Sequence, residues 1–191
     1  SDGMVTASKD ILTILGNYHG LITSNKLYVD KDLIDAGNQL LWIGRMGSGM
    51  EIIDVPYATS KGIVCVSSPE GNANAVAEQA LGMLLSLKHN IVKSHLELLQ
   101  NHWDRDGNRG TEIVGNTIGI IGYGNNGSLF AKKLVALGMK VIAYDPYVLE
   151  INDEGVTKAI TLDEIYQHAE VLSFHVPLNK ETALYFNADF L

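Results

Sequence analysis

The stretch "GNTIGIIGYGNNGSLFAKKLVALGMKVIAYDPY", Gly115 to Tyr147, decides the fold. It opens on a short apolar run, "TIGIIG", that reads as a buried strand. A helical segment, "NNGSLFAKKLVALG", follows at once, with Gly138 placed for the left-handed residue after a helix end. A second apolar run, "KVIAYD", returns the chain to Asp145. Between first strand and helix lies the spacing Gly122-x-Gly124-x-x-Gly127. In that context the three glycines have separate tasks: Gly122 permits a tight turn, Gly124 lets the backbone approach a pyrophosphate, and Gly127 lets helix and strand pack closely. The unpaired N–H groups of the first helical turn, Asn125 and Asn126 among them, would face phosphates at the positive end of the helix dipole. Asp145 ends the second strand, where a carboxylate accepts both ribose hydroxyls of an adenosine. The same charge repels a 2′-phosphate, so NAD is the expected cofactor over NADP.

Working outward, the segments on either side alternate in the same way. Upstream, "ILTIL" reads as part of a helix, "GLIT" as a strand, "DKDLIDAG" as a helix ended by Gly37, and "LLWIGR" as a strand. A short helix in "IDVPYATSKG" and a strand in "IVCVSS" follow. After "PEGN" comes a long apolar run from Ala73 to Leu99, with Val76, Ala80, Leu84, Leu87, Ile91 and Leu98 at helical spacing. It is expected as one long helix, buried on several sides between two lobes. The polar "QNHWDRDGNRGTEIVG" reads as a boundary loop. Downstream, Thr161-x-x-Glu164 is a capping box that predicts a short helix, and "VLSFHVP" is the next strand. Alternating strands and helices argue for parallel sheets. The expected architecture is α/β: a Rossmann doubly wound parallel sheet in residues 71–191, carrying the long helix and incomplete at its end, plus a partial flavodoxin-like α/β substrate lobe in residues 1–70.

Composition limits the alternatives. The 191 residues are 46% hydrophobic and 19% charged, which suits a folded core rather than a disordered chain. A net charge of -8 without any Lys/Arg run argues against nucleic acid as a partner. No apolar stretch has the length of a membrane span, and "SDGMVTASKD" lacks the basic and apolar regions of a signal peptide. Cys65 stands alone in "GIVCV", so no intramolecular disulfide forms and a cytoplasmic setting is expected. No ligand spacing for a metal is present.

The run "WIGRMGSGMEIIDVPYATSKGIVCVSSPEGNANAVAEQALGMLLSL", with "HWDR", "GNTIGIIGYGNNG", "GMKVIAYDPY" and "LSFHVPLNKET", resembles the D-2-hydroxyacid dehydrogenases, most of all their D-3-phosphoglycerate dehydrogenase branch. The resemblance covers the chain from about Gly20 to Leu191. It implies NAD-dependent hydride transfer at C2 of a small D-2-hydroxyacid, a place in serine biosynthesis, and a homodimer built on the Rossmann lobe and the long helix. By the same resemblance, Gly47-Ser48-Gly49 would bind the substrate carboxylate through backbone amides, with Ser48 against the cofactor. Asn125 and Asn126 would take the pyrophosphate, Asp145 the ribose, and His175, Val176 and Pro177 would border the adenosine.

Departures from the family pattern bear on the substrate. Ser24-Asn25 stands where many phosphoglycerate dehydrogenases have Arg-Ser, removing a cation expected near a substrate phosphate. Glu51 and Ile52 replace Asp and Asn, and Asn116 replaces a frequent Lys. The family's catalytic Arg, Glu and His belong to downstream motifs that this sequence does not contain, so no catalytic residue is assigned within it. The chain is expected to be a truncated enzyme, also short of the lobe's first strand and helix. None of the six histidines is assigned to catalysis: His89 and His95 lie on the long helix, His102 is a packing anchor with Trp103, His19 and His168 have no acid placed to orient them, and His175 ends a strand beside the adenosine. Arg45, just ahead of the glycine–serine loop, is expected in a salt bridge or a domain contact. Two rivals stand beside this reading: a glyoxylate, hydroxypyruvate or D-lactate dehydrogenase of the same family, and a corepressor-like module that holds NAD without turnover.

Overall fold

The computed structural model describes residues 8–179, 181–183 and 185–187. The chain divides into two units, Ser1–Asn72 and Ala73–Leu191. The sequence "NADFL" reads as the start of a further helix, and it falls mostly on residues 188–191, outside the described residues.

In the first unit, helix α1 (Ser8–Ile14) and a 3-10 turn precede strand β1 (Gly20–Thr23). Helix α2 (Lys31–Ala36), strand β2 (Trp42–Arg45), helix α3 (Val55–Ser60) and strand β3 (Val64–Ser67) follow. The strands form a parallel sheet in the order β1-β2-β3. Both inner helices start where the sequence supplies a carboxylate. Asp30 accepts the Leu33 amide at 3.0 Å and Asp54 accepts the Tyr57 amide at 3.1 Å. Leu33, Ile34, Ile43, Ile53, Ala58 and Ile63 make the core of this unit.

The second unit begins with helices α4 (Ala73–Lys88) and α5 (Ile91–Leu99). Strand β4 (Thr117–Ile121), helix α6 (Asn125–Ala136), strand β5 (Lys140–Tyr144), strand β6 (Val156–Lys158), helix α7 (Leu162–His168) and strand β7 (Val171–Phe174) complete it. The four strands are parallel, in the order β6-β5-β4-β7. The chain therefore winds one way from β4 through β5 to β6, then crosses to the other side of β4 for β7. That reversal places a crevice beyond the carboxyl end of β4, where ligands of such sheets bind. Phe130, Ala131 and Leu134 of α6 pack with Ile118, Ile120 and Val141 of the sheet into one buried core. Helix α7 has the expected cap: Thr161 Oγ1 accepts the Glu164 amide, and Glu164 accepts the Ile160 amide.

The expected long helix is two helices. Asn90 breaks it in a left-handed conformation (φ 52°), which asparagine tolerates better than most residues. The cause is visible in the hydrogen bonds. The Thr111 amide donates to the Lys88 carbonyl at 2.8 Å, taking the acceptor that residue 92 would need to continue the helix. The buried stripe also differs from the expected one. Ala73, Ala77 and Leu84 are buried, whereas Leu87, Ile91 and Leu98 are exposed, and α5 buries no residue fully. The loop over 100–116 lies inside the second unit rather than at its boundary. Strand β6 went unpredicted because three residues without an apolar run leave no periodic signal.

Phe130 is 1% exposed and contacts both layers of its unit. Replacing Phe130 with Ala is expected to cost about 3–5 kcal/mol of unfolding free energy. Urea denaturation reads this as a lower midpoint at unchanged slope.

Candidate dinucleotide-binding site and glycine–serine loop

The sheet of the second unit brings three predicted segments to one edge, because parallel strands end on the same side. Gly122 follows β4, Asp145 follows β5, and His175 follows β7. The Gly122 amide donates to the Tyr144 carbonyl at 2.8 Å, and the His175 amide to the Ile121 carbonyl at 2.7 Å, so the strand ends are tied together.

Each glycine of the loop has its own requirement. Gly122 has φ +94°, and a β-carbon there would lie 2.7 Å from the His175 carbonyl oxygen. A β-carbon on Gly127 would stand 2.1 Å from the Gly122 carbonyl oxygen, so the helix starts in direct contact with the turn beneath it. Gly124 differs: nothing lies within 4 Å of its missing side chain. The loop is closed from below and open from above. Gly124 is also the N-cap residue of α6, and no side chain caps that end. The first intrahelical bond runs from the Ser128 amide to the Gly124 carbonyl, leaving the preceding amides without helical partners. Asn126 adds a buried Oδ1 with no hydrogen-bond partner. Open space, uncapped amides and an orphaned polar atom are the features a dinucleotide phosphate would satisfy.

Asp145 is held by two backbone amides. Tyr123 N–H donates to Oδ2 at 2.7 Å and Tyr147 N–H to Oδ1 at 2.9 Å. Each oxygen keeps a further lone pair for a hydroxyl. His175 is half-buried against the Phe130 ring, with centroids 5.4 Å apart, and its Nε2 lies 3.0 Å from Ser173 Oγ. Burial pulls its pKa down from the ordinary value, which keeps the ring neutral. Val176 and Pro177 follow along the same edge, and the Pro177 carbonyl accepts from the Thr182 hydroxyl.

Gly47, Ser48 and Gly49 belong to the first unit, after β2. Gly47 has φ +132° and its carbonyl accepts the Ser68 amide at 3.1 Å. Ser48 is exposed. Arg45 curls over Gly47 and donates to the Met46 carbonyl, while its Nε is buried without a partner. No carboxylate pairs with it among the described residues, so the expected salt bridge is absent. Among the described residues, no histidine ring bonds to a carboxylate either, the arrangement a proton-transferring histidine of this chemistry needs.

Reading the sequence for motifs left out Tyr123, the residue between the first two glycines, and its partner Asp153. Tyr123 is 7% exposed and its hydroxyl donates to Asp153 Oδ2 at 2.7 Å. An aromatic inside a glycine motif was the available signal. Nothing in "EINDEG" sets Asp153 apart from its acidic neighbours.

The comparisons with known proteins agree on one family. The profile of the D-isomer specific 2-hydroxyacid dehydrogenase NAD binding domain matches residues 81–191. A D-3-phosphoglycerate dehydrogenase of Synechocystis sp. is 38% identical over 183 residues, which cover 95% of this chain and 33% of that protein. A hydroxypyruvate reductase of Thermotoga maritima is 35% identical, over 91% of this chain and 56% of that protein. Among solved structures, an NAD-dependent formate dehydrogenase from Staphylococcus aureus in complex with NAD superposes with a TM-score of 0.81 at 26% identity, covering 96% of this chain and 56% of that one. The chain thus spans a third to a little over half of these curated relatives. Both are named for enzymatic activities, which leaves the corepressor reading without support. With the glycine loop, the uncapped helix and the strand-end acid in one crevice, the chain belongs to the D-isomer specific 2-hydroxyacid dehydrogenase family and carries its NAD-binding domain.

Proposed function

We propose that this chain is the cofactor-binding part, with a portion of the substrate lobe, of an enzyme that oxidises or forms the CH–OH group at C2 of a D-2-hydroxyacid, of the D-3-phosphoglycerate dehydrogenase type. The observation that carries it is the crevice at the carboxyl edge of the second sheet, open above Gly124 and flanked by Asp145. In this reading the amides of Asn125 and Asn126 take the pyrophosphate. Asp145 accepts the adenosine ribose hydroxyls and repels a 2′-phosphate, favouring NAD over NADP. His175, Val176 and Pro177 border the adenosine. When bound, NAD supplies the hydride acceptor. The amides of Gly47, Ser48 and Gly49 orient the substrate carboxylate.

Arg45 supports an anionic substrate. Its guanidinium lies against Gly47 with no acid partner among the described residues, where a carboxylate or phosphate would meet it. Ser24-Asn25 supports a second reading within the family, because neither side chain supplies a cation for a phosphate. A hydroxypyruvate- or glyoxylate-type substrate needs none there, and the Thermotoga relative is a hydroxypyruvate reductase. The exposed apolar side of α5, with Ile91, Val92, Leu96 and Leu99, suits contact with a second copy of the chain, as the family resemblance implies.

The test is a panel of D-3-phosphoglycerate, D-glycerate and D-lactate, each with NAD and NADP, on the full-length protein that contains this chain. NADH formation with D-3-phosphoglycerate above the other acids supports the first reading, and preference for D-glycerate supports the second. NADP preferred over NAD overturns the role of Asp145. Arg45→Ala is expected to raise KM for the acid by about tenfold or more, at unchanged KM for NAD.

The neutral state of His175 has a consequence for stability. Unfolded, it takes up a proton as the pH falls through its ordinary 6.5; folded, it does so only at lower pH. Its contribution is therefore complete above pH 6.5 and is lost as the pH falls through the depressed folded value. Urea midpoints measured from neutral to acid pH show this slope, and His175→Gln is expected to flatten it.

A further inference from the structure

We propose that Tyr123 and Asp153 are positioning residues for the cofactor, bracing the glycine loop from beneath and coupling it to Asp145. The inference rests on the NAD-binding reading of the crevice.

A loop that must lie bare beneath a pyrophosphate has a mechanical difficulty. Glycines let a ligand approach, but they also leave the backbone without side chains to hold it and with the most conformational freedom to lose. Gly124 touches nothing on its side-chain face. In Gly122-Tyr123-Gly124 the only side chain is that of Tyr123, and it points into the core, 7% exposed. Its hydroxyl donates to Asp153 Oδ2 at 2.7 Å, and the other oxygen of Asp153 meets Lys132 Nζ at 3.0 Å. Lys132 stands on α6, the helix this loop begins. The brace is therefore a closed circuit: loop to Tyr123, to Asp153 in the segment between β5 and β6, to Lys132, and back along α6 to the loop.

The same residue acts at its other end. The Tyr123 amide donates to Asp145 Oδ2, so moving Tyr123 moves the acid that would meet the ribose. The loop and the acid thus both depend on one residue, the loop through its side chain and Asp145 through its main-chain amide. The protonation states suit the task. Burial and the Asp153 hydrogen bond raise the phenol's pKa, so it remains a donor through the neutral range. The bonds from Tyr123 and then Lys132 lower that of Asp153, so it remains an acceptor. A phenylalanine would fill the same space, so what the tyrosine adds is the hydroxyl's bond to Asp153.

Tyr123→Phe keeps the ring and removes the hydroxyl; Asp153→Asn, at a partly exposed position, removes the charge from the other side. NADH affinity of the full-length protein that contains this chain is measured by fluorescence titration, well below the melting temperature of every variant. Each single variant is expected to raise the Kd for NADH about three- to tenfold. The double variant is expected to be no weaker than the weaker single, because both interrupt the same circuit. A lower Tm with Kd unchanged within about twofold overturns the proposal, since a merely structural contact gives that result. Additive effects overturn the coupling between the two residues. An unsubstituted chain that fails to bind NADH overturns the cofactor reading itself, and the proposal with it.

Discussion

The nucleotide-binding unit depends on the approach of Gly127 to Gly122. A β-carbon would stand 2.1 Å from the Gly122 carbonyl oxygen, so no residue other than glycine lets α6 begin this close to the end of β4. Closeness fixes direction. The helix leaves the strand end with its amino terminus over the crevice, and the amides of its first turn face the space above Gly124. Any separation would pull that positive end away from the place where the strand order reverses.

Helix ends show what the loop gives up. Asp30, Asp54 and Thr161 cap their helices with side-chain oxygens. Gly124 offers none, and a missing cap costs about 0.5–2 kcal/mol. A carboxylate in that position would satisfy the amides and close the site to any anion. The acid stands instead one strand away, at Asp145, where it holds Tyr123 and Tyr147 by their backbones and keeps lone pairs for hydroxyls. Separating amide donors from carboxylate acceptor by the width of one strand pair gives the crevice a positive and a negative station.

Much of this was legible in the sequence, for identifiable reasons. Strands β4 and β5 announced themselves as apolar runs because a parallel sheet is covered on both faces. Caps at Asp30, Asp54 and Thr161 follow from side-chain chemistry that acts within a few residues. The glycine spacing could be assigned because strand and helix flank it. What the sequence withheld was long-range. The brace joins residues thirty positions apart, Tyr123 and Asp153, with no periodicity between them. Likewise, the break at Asn90 depends on Thr111 taking the Lys88 carbonyl, a bond made from twenty-three residues away.

The misreading of the apolar run from Ala73 to Leu99 has a more general cause. Hydrophobic patterning records every surface that is removed from water in the working protein, whether against the same unit, another part of the chain or another copy. Here α4 lays Ala77 and Leu84, with Ala80, Leu81 and Leu85 beside them, against α6 and the sheet. Other large side chains of the same helix remain outward: Met83 is 64% exposed and Leu87 73%. A helix of this kind has two apolar faces with different tasks, one set by close packing and the other by extent. Counting apolar residues merges them into a single buried helix. Position on the helix separates them rather than residue type, since Leu81, Leu84 and Leu85 pack inward while Met83 and Leu87 stay exposed.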